Sequence, residues 1–179
     1  MLASCLWACH TGGIMRKLAI RHSLSQANNR ENLGTPAFAS ANAPLMDGGR
    51  IIASVLGITL HDTYHIDTTV ALAATSTMLR TSETALCAGF DPSHLIAYPI
   101  LDEVPKMREF AELRAMLDAG IVPPEAVEAA YRVLENPPQE EIWFTHGLVI
   151  AGLCKVLGVY QDARTVPKFC EVRELVIPR

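Results

Sequence analysis

The chain has 179 residues, of which 50% are hydrophobic and 19% charged, with Lys+Arg 15 against Asp+Glu 19 and a formal net charge of −4. That length suits one domain and is short for two catalytic ones, and it lets about two thirds of the unfolded surface be buried, so the composition excludes disorder. The acidic balance excludes the broad basic footprint that nucleic acid or an anionic membrane would need, and any phosphate affinity must rest on a few placed cations.

The first fourteen residues, MLASCLWACHTGGI, carry no basic segment before their apolar stretch and make a poor signal peptide. Leu2-Ala3-Ser4-Cys5 has the form of a lipoprotein box, but only Met1 precedes it. Residues 1–14 are expected to be an N-terminal extension, disordered or the product of an upstream start codon, with residues 15–179 forming a single domain. Cys5, Cys9 and His10 could together hold a metal, but they read better as part of a tail. The five cysteines, Cys5, Cys9, Cys87, Cys154 and Cys170, contain no CxxC pair. This argues against a disulfide framework and a four-cysteine zinc site, and for reduced thiols in a cytoplasmic protein. No apolar run reaches the roughly 18 to 20 residues of a membrane span.

From Met15 onward, short apolar runs alternate with amphipathic ones, the pattern of an α/β layered fold. A strand is expected at Lys17–Ile20, followed by a polar loop from Ser23 to Asn32 and a further loop over Thr35–Leu45. A helix is expected over Asp47–Leu56, with Asp47 as N-cap and Gly57 as its stop. A strand at Val70–Ala74, a helix at Thr77–Ala88 and a strand at Leu95–Tyr98 follow. The helices Arg108–Asp118 and Pro124–Leu134 come next, the second with proline in its first turn. Glu141–Thr145 reads as strand, Leu148–Leu157 as helix ending at Gly158, and Phe169–Ile177 as the closing strand.

Three of these strands end in polar residues and run into a helix or loop: Ile20-Arg21-His22-Ser23, Ala74-Thr75-Ser76 and Phe144-Thr145-His146-Gly147. In a parallel sheet the carboxyl ends of the strands frame the ligand crevice, so the three tips are expected to converge. Arg80, one turn beyond Ser76, can turn back to the same place, and helix N-termini there add amide donors suited to an anion. The ligand this implies is a phosphoryl group. His61-Asp62-x-x-His65 with Asp67 offers metal ligands of a generic kind in what reads as a loop. Lys106, Arg108 and Arg114 could select an anionic substrate, but they read better as a charged helix face.

The residues then form a sequence of blocks: Arg21-His22 after an apolar strand, then Asn28; Leu45-Met46-Asp47-Gly48-Gly49-Arg50 leading to Ala53; Ser76-Thr77-Met78-Leu79-Arg80 leading to Thr84-Ala85; Leu101-Asp102-Glu103; and Thr145-His146-Gly147. In order and spacing, from Lys17 to about Gly158, they resemble the blocks of the histidine phosphatase superfamily, also called phosphoglycerate-mutase-like. The resemblance implies a three-layer α/β/α sandwich with a mostly parallel central sheet. It implies His22 as the nucleophile that accepts the phosphoryl group, Arg21, Arg80 and His146 as groups gripping its oxygens with Asn28 as a helper, and Glu103 as the proton donor to the leaving group. No metal or other cofactor is implied.

This chain departs from the family in having Ser23 where a glycine usually follows the histidine, and Leu24 where an acidic residue often stands. Asp102 lies beside Glu103, and the sequence leaves open which of the two faces the pocket. Val104 to Phe110 lacks the Arg- and Tyr-rich run of the mutases, which favours a metal-independent phosphatase acting through a phosphohistidine on His22. A phosphomutase, or an inactive module binding a phosphate or phosphoprotein, is the alternative. The expected partner is a small phosphorylated substrate or a phosphoprotein, with homodimerisation left open and neither nucleic acid nor membrane involved.

Overall fold

A computed structural model describes residues 13–32, 35–36, 40–104, 110–159 and 166–178. Five strands, β1 (Ile14–Arg21), β2 (Ala73–Thr75), β3 (Leu95–Ala97), β4 (Ile142–Thr145) and β5 (Val172–Pro178), form one sheet in the order β3-β2-β4-β1-β5. The first four run parallel, and β5 closes the edge antiparallel to β1. Strand β4 lies at the centre and is buried along its whole length, as a parallel strand covered on both faces must be.

Helices α1 (Asp47–Tyr64) and α2 (Leu79–Cys87) pack on one face, where Leu56, Leu60, Ala85 and Ala88 meet Ile20, Ala73, Ile142 and Phe144. Helices α4 (Pro124–Glu135) and α5 (Gly147–Leu157) cover the other, where Ala126, Ala130, Val133, Val149, Ile150 and Leu153 meet Ala19, Ala74, Trp143 and Leu175. Helix α3 (Phe110–Asp118) precedes α4. The architecture is the three-layer α/β/α sandwich, mostly parallel, that was expected. No helix among the described residues is long and apolar enough to cross a membrane.

Several boundaries differ from those expected. Strand β1 begins at Ile14, and its buried Lys17 is accommodated because its ammonium donates to the carbonyls of Pro138, Gln139 and Glu140 at 2.8 to 2.9 Å. Helix α1 does not stop at Gly57 but runs on to Tyr64. A Cβ at Gly57 would strike the backbone of Ala88, so this glycine serves the close approach of α1 to α2. His65, in the left-handed conformation at φ 57°, ends the helix instead. Met46 takes the N-cap position, and Asp47 sits inside the first turn, where its charge suits the helix dipole.

Strand β2 is shorter than the expected Val70–Ala74, because Val70 and Leu72 are exposed in the segment that precedes it. Helix α2 starts two residues later than expected, and β5 starts three residues later, after a turn in which Cys170 has φ 57°. Gly158, at φ 70°, ends α5 as the sequence indicated. Cys87, Cys154 and Cys170 are unbridged, while Cys5, Cys9 and His10 lie outside the described residues.

Candidate active site

Parallel pairing sets Arg21 opposite Thr145 and Thr75 opposite Phe144, so the residues that follow, His22, Ser76 and His146, leave the sheet side by side at its carboxyl edge. The His22 amide donates to the Thr145 carbonyl and the Ser76 amide to the Phe144 carbonyl, each at 3.0 Å. The two imidazoles are fully buried, with centroids 5.1 Å apart and planes at 61°.

The Nδ1 of His22 lies 2.7 Å from the Ser23 carbonyl oxygen. A carbonyl only accepts, so this bond assigns the proton to Nδ1 and leaves the lone pair on Nε2. Arg80 Nε donates to that Nε2 at 3.2 Å. Burial first, then the positive charge of Arg80 and more weakly that of Arg21, lower the His22 pKa to about 3 against the opposing Ser23 bond, so the ring is neutral near pH 7.

Ser23 is fixed in turn. Its amide donates to Thr84 Oγ1 at 2.9 Å, and its hydroxyl donates to the Gly49 carbonyl at 2.7 Å. A Cβ at Gly49 would collide with the Leu24 carbonyl, so the first turn of α1 lies directly against the loop that carries His22. Serine at position 23 therefore fits, its hydroxyl tying the loop to α1.

The two arginines approach from different elements. Arg80, on α2 and 3% exposed, also donates from Nη1 to the Ser40 carbonyl at 3.1 Å. Arg21 donates from Nη1 to the Pro167 carbonyl at 2.7 Å, and its guanidinium carbon lies 4.1 Å from the centroid of the Phe169 ring. Arg21 Nε is buried and makes no hydrogen bond. Burial lowers the pKa of both guanidiniums while the charge of Glu103 raises it, and an arginine stays protonated across the working pH range.

His146 Nε2 lies 2.9 Å from Ser76 Oγ. Thr81 gives its own proton to the Met78 carbonyl at 2.7 Å, and Ser76 Oγ accepts from the Met78 amide at 3.2 Å. Ser76 Oγ also lies 3.0 Å from Thr81 Oγ1, so its proton can go to Thr81 or to His146 Nε2, and either His146 tautomer satisfies these contacts. His146 Nδ1 is buried without a hydrogen-bond partner and lies 3.6 Å from Glu103 Oε2. Burial, followed by the charges of His22, Arg80 and Arg21, holds the His146 pKa well below its usual value.

The neighbouring acids part company. Asp102 accepts from the Thr77 amide and the Thr77 hydroxyl, each at 2.7 Å, and pins the segment entering α2. Glu103 instead faces the histidines: one ligand atom each from His22, Glu103 and His146 lie within 4.8 Å of one another. Three such atoms can in geometry hold a cation, but two guanidiniums and an Arg80 N–H directed at Nε2 favour an anion at this place.

Arg21, His22, Arg80, Glu103 and His146 are therefore brought together. Asn28 is not hydrogen-bonded to any of them. It closes a 3-10 turn, its Oδ1 accepting from the Ser25 hydroxyl at 2.8 Å, which leaves only its amide nitrogen as a donor. His61 and Asp62 lie on α1 rather than in a loop, exposed and paired with each other at 2.8 Å, while Asp67 accepts from Thr69. Among the described residues they gather no metal set with His65. Arg114 pairs with Asp118 on an exposed face of α3, and Lys106 and Arg108 lie outside the described residues.

Sequence reasoning missed Ser40, Pro167 and Phe169. The two carbonyls carry no signal in residue type. Phe169 reads as one more apolar residue of a strand until β5 is known to pair beside β1.

No family model and no curated protein matches the chain. Solved structures do. The protein TTHB049 from Thermus thermophilus aligns over 90% of this chain and 93% of its own, with TM-score 0.60 and 22% identity. The mycobacterial glucosyl-3-phosphoglycerate phosphatase Rv2419c aligns over 92% and 91%, with TM-score 0.58 and 16% identity. A protein described as mycobacterial hydrolase 1 aligns over 92% of both chains, with TM-score 0.56 and 16% identity. At these identities the likeness establishes a shared fold, and two of the three carry the name of a hydrolytic enzyme.

Proposed function

We propose that this chain is a metal-independent phosphatase of the histidine phosphatase superfamily, acting through a phosphohistidine on His22. The observation that carries this reading is the orientation of His22: its Nδ1–H is bound to the Ser23 carbonyl, and its Nε2 lone pair is directed at Arg80 Nε, in a cluster with Arg21 and His146. The resemblance of the sequence blocks and the phosphatase among the structures of like fold support it.

In the first half-reaction, Nε2 of His22 forms a bond to phosphorus as the bond from phosphorus to the leaving oxygen breaks. A protonated Glu103 gives its proton to that oxygen. The ring becomes positively charged, and its Nδ1–H bond to the Ser23 carbonyl strengthens as it does. The spread negative charge of the phosphoryl oxygens is met by Arg21, Arg80 and His146. In the second half, Glu103 takes a proton from water, the water oxygen bonds to phosphorus, and the N–P bond breaks, returning the electron pair to Nε2 and releasing inorganic phosphate. Atoms and charge balance without a metal.

The test is hydrolysis of para-nitrophenyl phosphate in the presence of EDTA, wild type beside His22→Ala. The reading expects turnover that survives the chelator and is lost in the variant. Turnover in His22→Ala at the wild-type rate would overturn it, as would phosphate transferred within a substrate and never released.

A further inference from the structure

Of the two arginines beside His22, Arg21 is the one with fewer guanidinium hydrogen bonds, one against two for Arg80. Four torsions separate its guanidinium from the backbone, and a single hydrogen bond, from Nη1 to the Pro167 carbonyl at 2.7 Å, leaves the plane free to turn about that bond. The group that fixes the plane is the Phe169 ring, whose centroid lies 4.1 Å from the guanidinium carbon. The same ring stands 6.0 Å from that of His22. Its turn is braced: the Cys170 amide donates to the Arg21 carbonyl at 3.0 Å, the Lys168 amide to Glu171 Oε2 at 2.7 Å, and the Glu171 amide to the Lys168 carbonyl at 3.1 Å.

On the other side, Gly147 leaves the guanidinium room, since a Cβ there would come within 3.2 Å of Arg21 Nε and 2.6 Å of Val166 Cγ1. A carboxylate in place of the ring would also orient Arg21, but it would consume N–H donors at the guanidinium edge and neutralise its charge. A ring face attracts the cation through its quadrupole and leaves the edge donors available. Arg21 Nε, buried and without a hydrogen bond, is such a donor.

We propose that Phe169 is a positioning residue for phosphoryl binding: its ring holds the Arg21 guanidinium so that Nε is offered to a phosphoryl oxygen, and it acts only through Arg21. This rests on the reading of the pocket as a phosphoryl site.

The test measures orthophosphate affinity by calorimetry, together with KM and kcat on para-nitrophenyl phosphate, for wild type, Phe169→Leu, Phe169→Tyr and Phe169→Trp, and for Phe169→Leu in an Arg21→Ala background. Phe169→Leu is expected to weaken orthophosphate binding and raise KM by about 3- to 30-fold, the range of a cation–π contact from exposed to desolvated. The Tyr and Trp variants are expected to stay near wild type, and Phe169→Leu to have no further effect once Arg21 is alanine. If Phe169→Leu does not fold, Phe169→Met carries the same comparison. Wild-type affinity in the Leu variant, an equal loss in the Tyr variant, or a full effect persisting without Arg21 would overturn the role of Phe169 while leaving the phosphoryl site standing. A wild-type protein with no orthophosphate affinity would overturn the reading of the site itself, and this proposal with it.

Discussion

Arg80 Nε donates to the Nε2 of His22 at 3.2 Å, so one guanidinium holds the lone pair of the residue proposed as nucleophile. In this account Arg80 has two tasks, keeping His22 neutral and binding the phosphoryl oxygens. Arg80→Lys retains the charge but places no planar Nε–H against His22. It is expected to lower kcat/KM by about 10²- to 10³-fold, the scale of a lost transition-state donor. Steady-state kinetics check this, and near-wild-type activity in Arg80→Lys would reduce Arg80 to a point charge.

Ser23 stands where the resembled family has glycine, and its contribution divides by atom. Its carbonyl holds His22 Nδ1, while its hydroxyl, fully buried, reaches the Gly49 carbonyl at 2.7 Å. Ser23→Ala keeps the first and loses the second. The expected cost is about 1 to 2 kcal/mol, or ~2 to 8 °C in Tm for a chain of this size, with kcat close to wild type. Thermal melts and kinetics on one preparation separate the two effects.

The adjacent acids are expected to fail differently. Asp102→Ala loses both bonds to Thr77, at a cost of about 1 kcal/mol and without a change in leaving-group dependence. Glu103→Gln removes the proposed proton donor. It is expected to slow alkyl phosphates by about 10²- to 10⁴-fold, and para-nitrophenyl phosphate much less, because that leaving group needs no proton. A series of substrates with graded leaving groups checks it, and equal slowing across the series in Glu103→Gln would remove Glu103 from that role.

Stability should depend on pH with a definite sign. The folded state holds the His22 pKa near 3 against 6.5 unfolded, and His146 shifts in the same direction, so between these values the unfolded chain binds more protons. The neutral-ring contribution is complete above pH 6.5 and is lost as pH falls toward 3, with a slope of up to about 1.4 kcal/mol per pH unit for each proton. Tm in wild type is expected to fall across this window more steeply than in His22→Ala. Parallel curves would contradict a buried neutral His22.

The strand tips were legible because an apolar run that ends abruptly in Arg-His, Thr-Ser or Thr-His marks a sheet edge, and three such tips in one parallel sheet share one end. Arg80 was legible from its position one turn past Ser76. The choice between Asp102 and Glu103 was not, since adjacent carboxylates differ only in where the backbone directs them, and the Thr77 bonds settle which is held elsewhere. Gly57 was misread because a helix stop and a close helix approach select the same residue, and only the position of Ala88 distinguishes them. Ser40, Pro167 and Phe169 reach the site through contacts set by the loops and by the β1–β5 pairing, which periodicity does not encode.

The measurement that tests the central claim most directly is capture of the phosphoenzyme. Wild type and His22→Ala are mixed with para-nitrophenyl phosphate, quenched in alkali, digested and mapped by mass spectrometry. The account predicts a phosphoryl adduct on the His22 peptide, stable in alkali, lost in acid, and missing from His22→Ala. Turnover with no adduct on His22, under conditions where leaving-group release outpaces phosphate release, would contradict it, as would an adduct that persists in the variant.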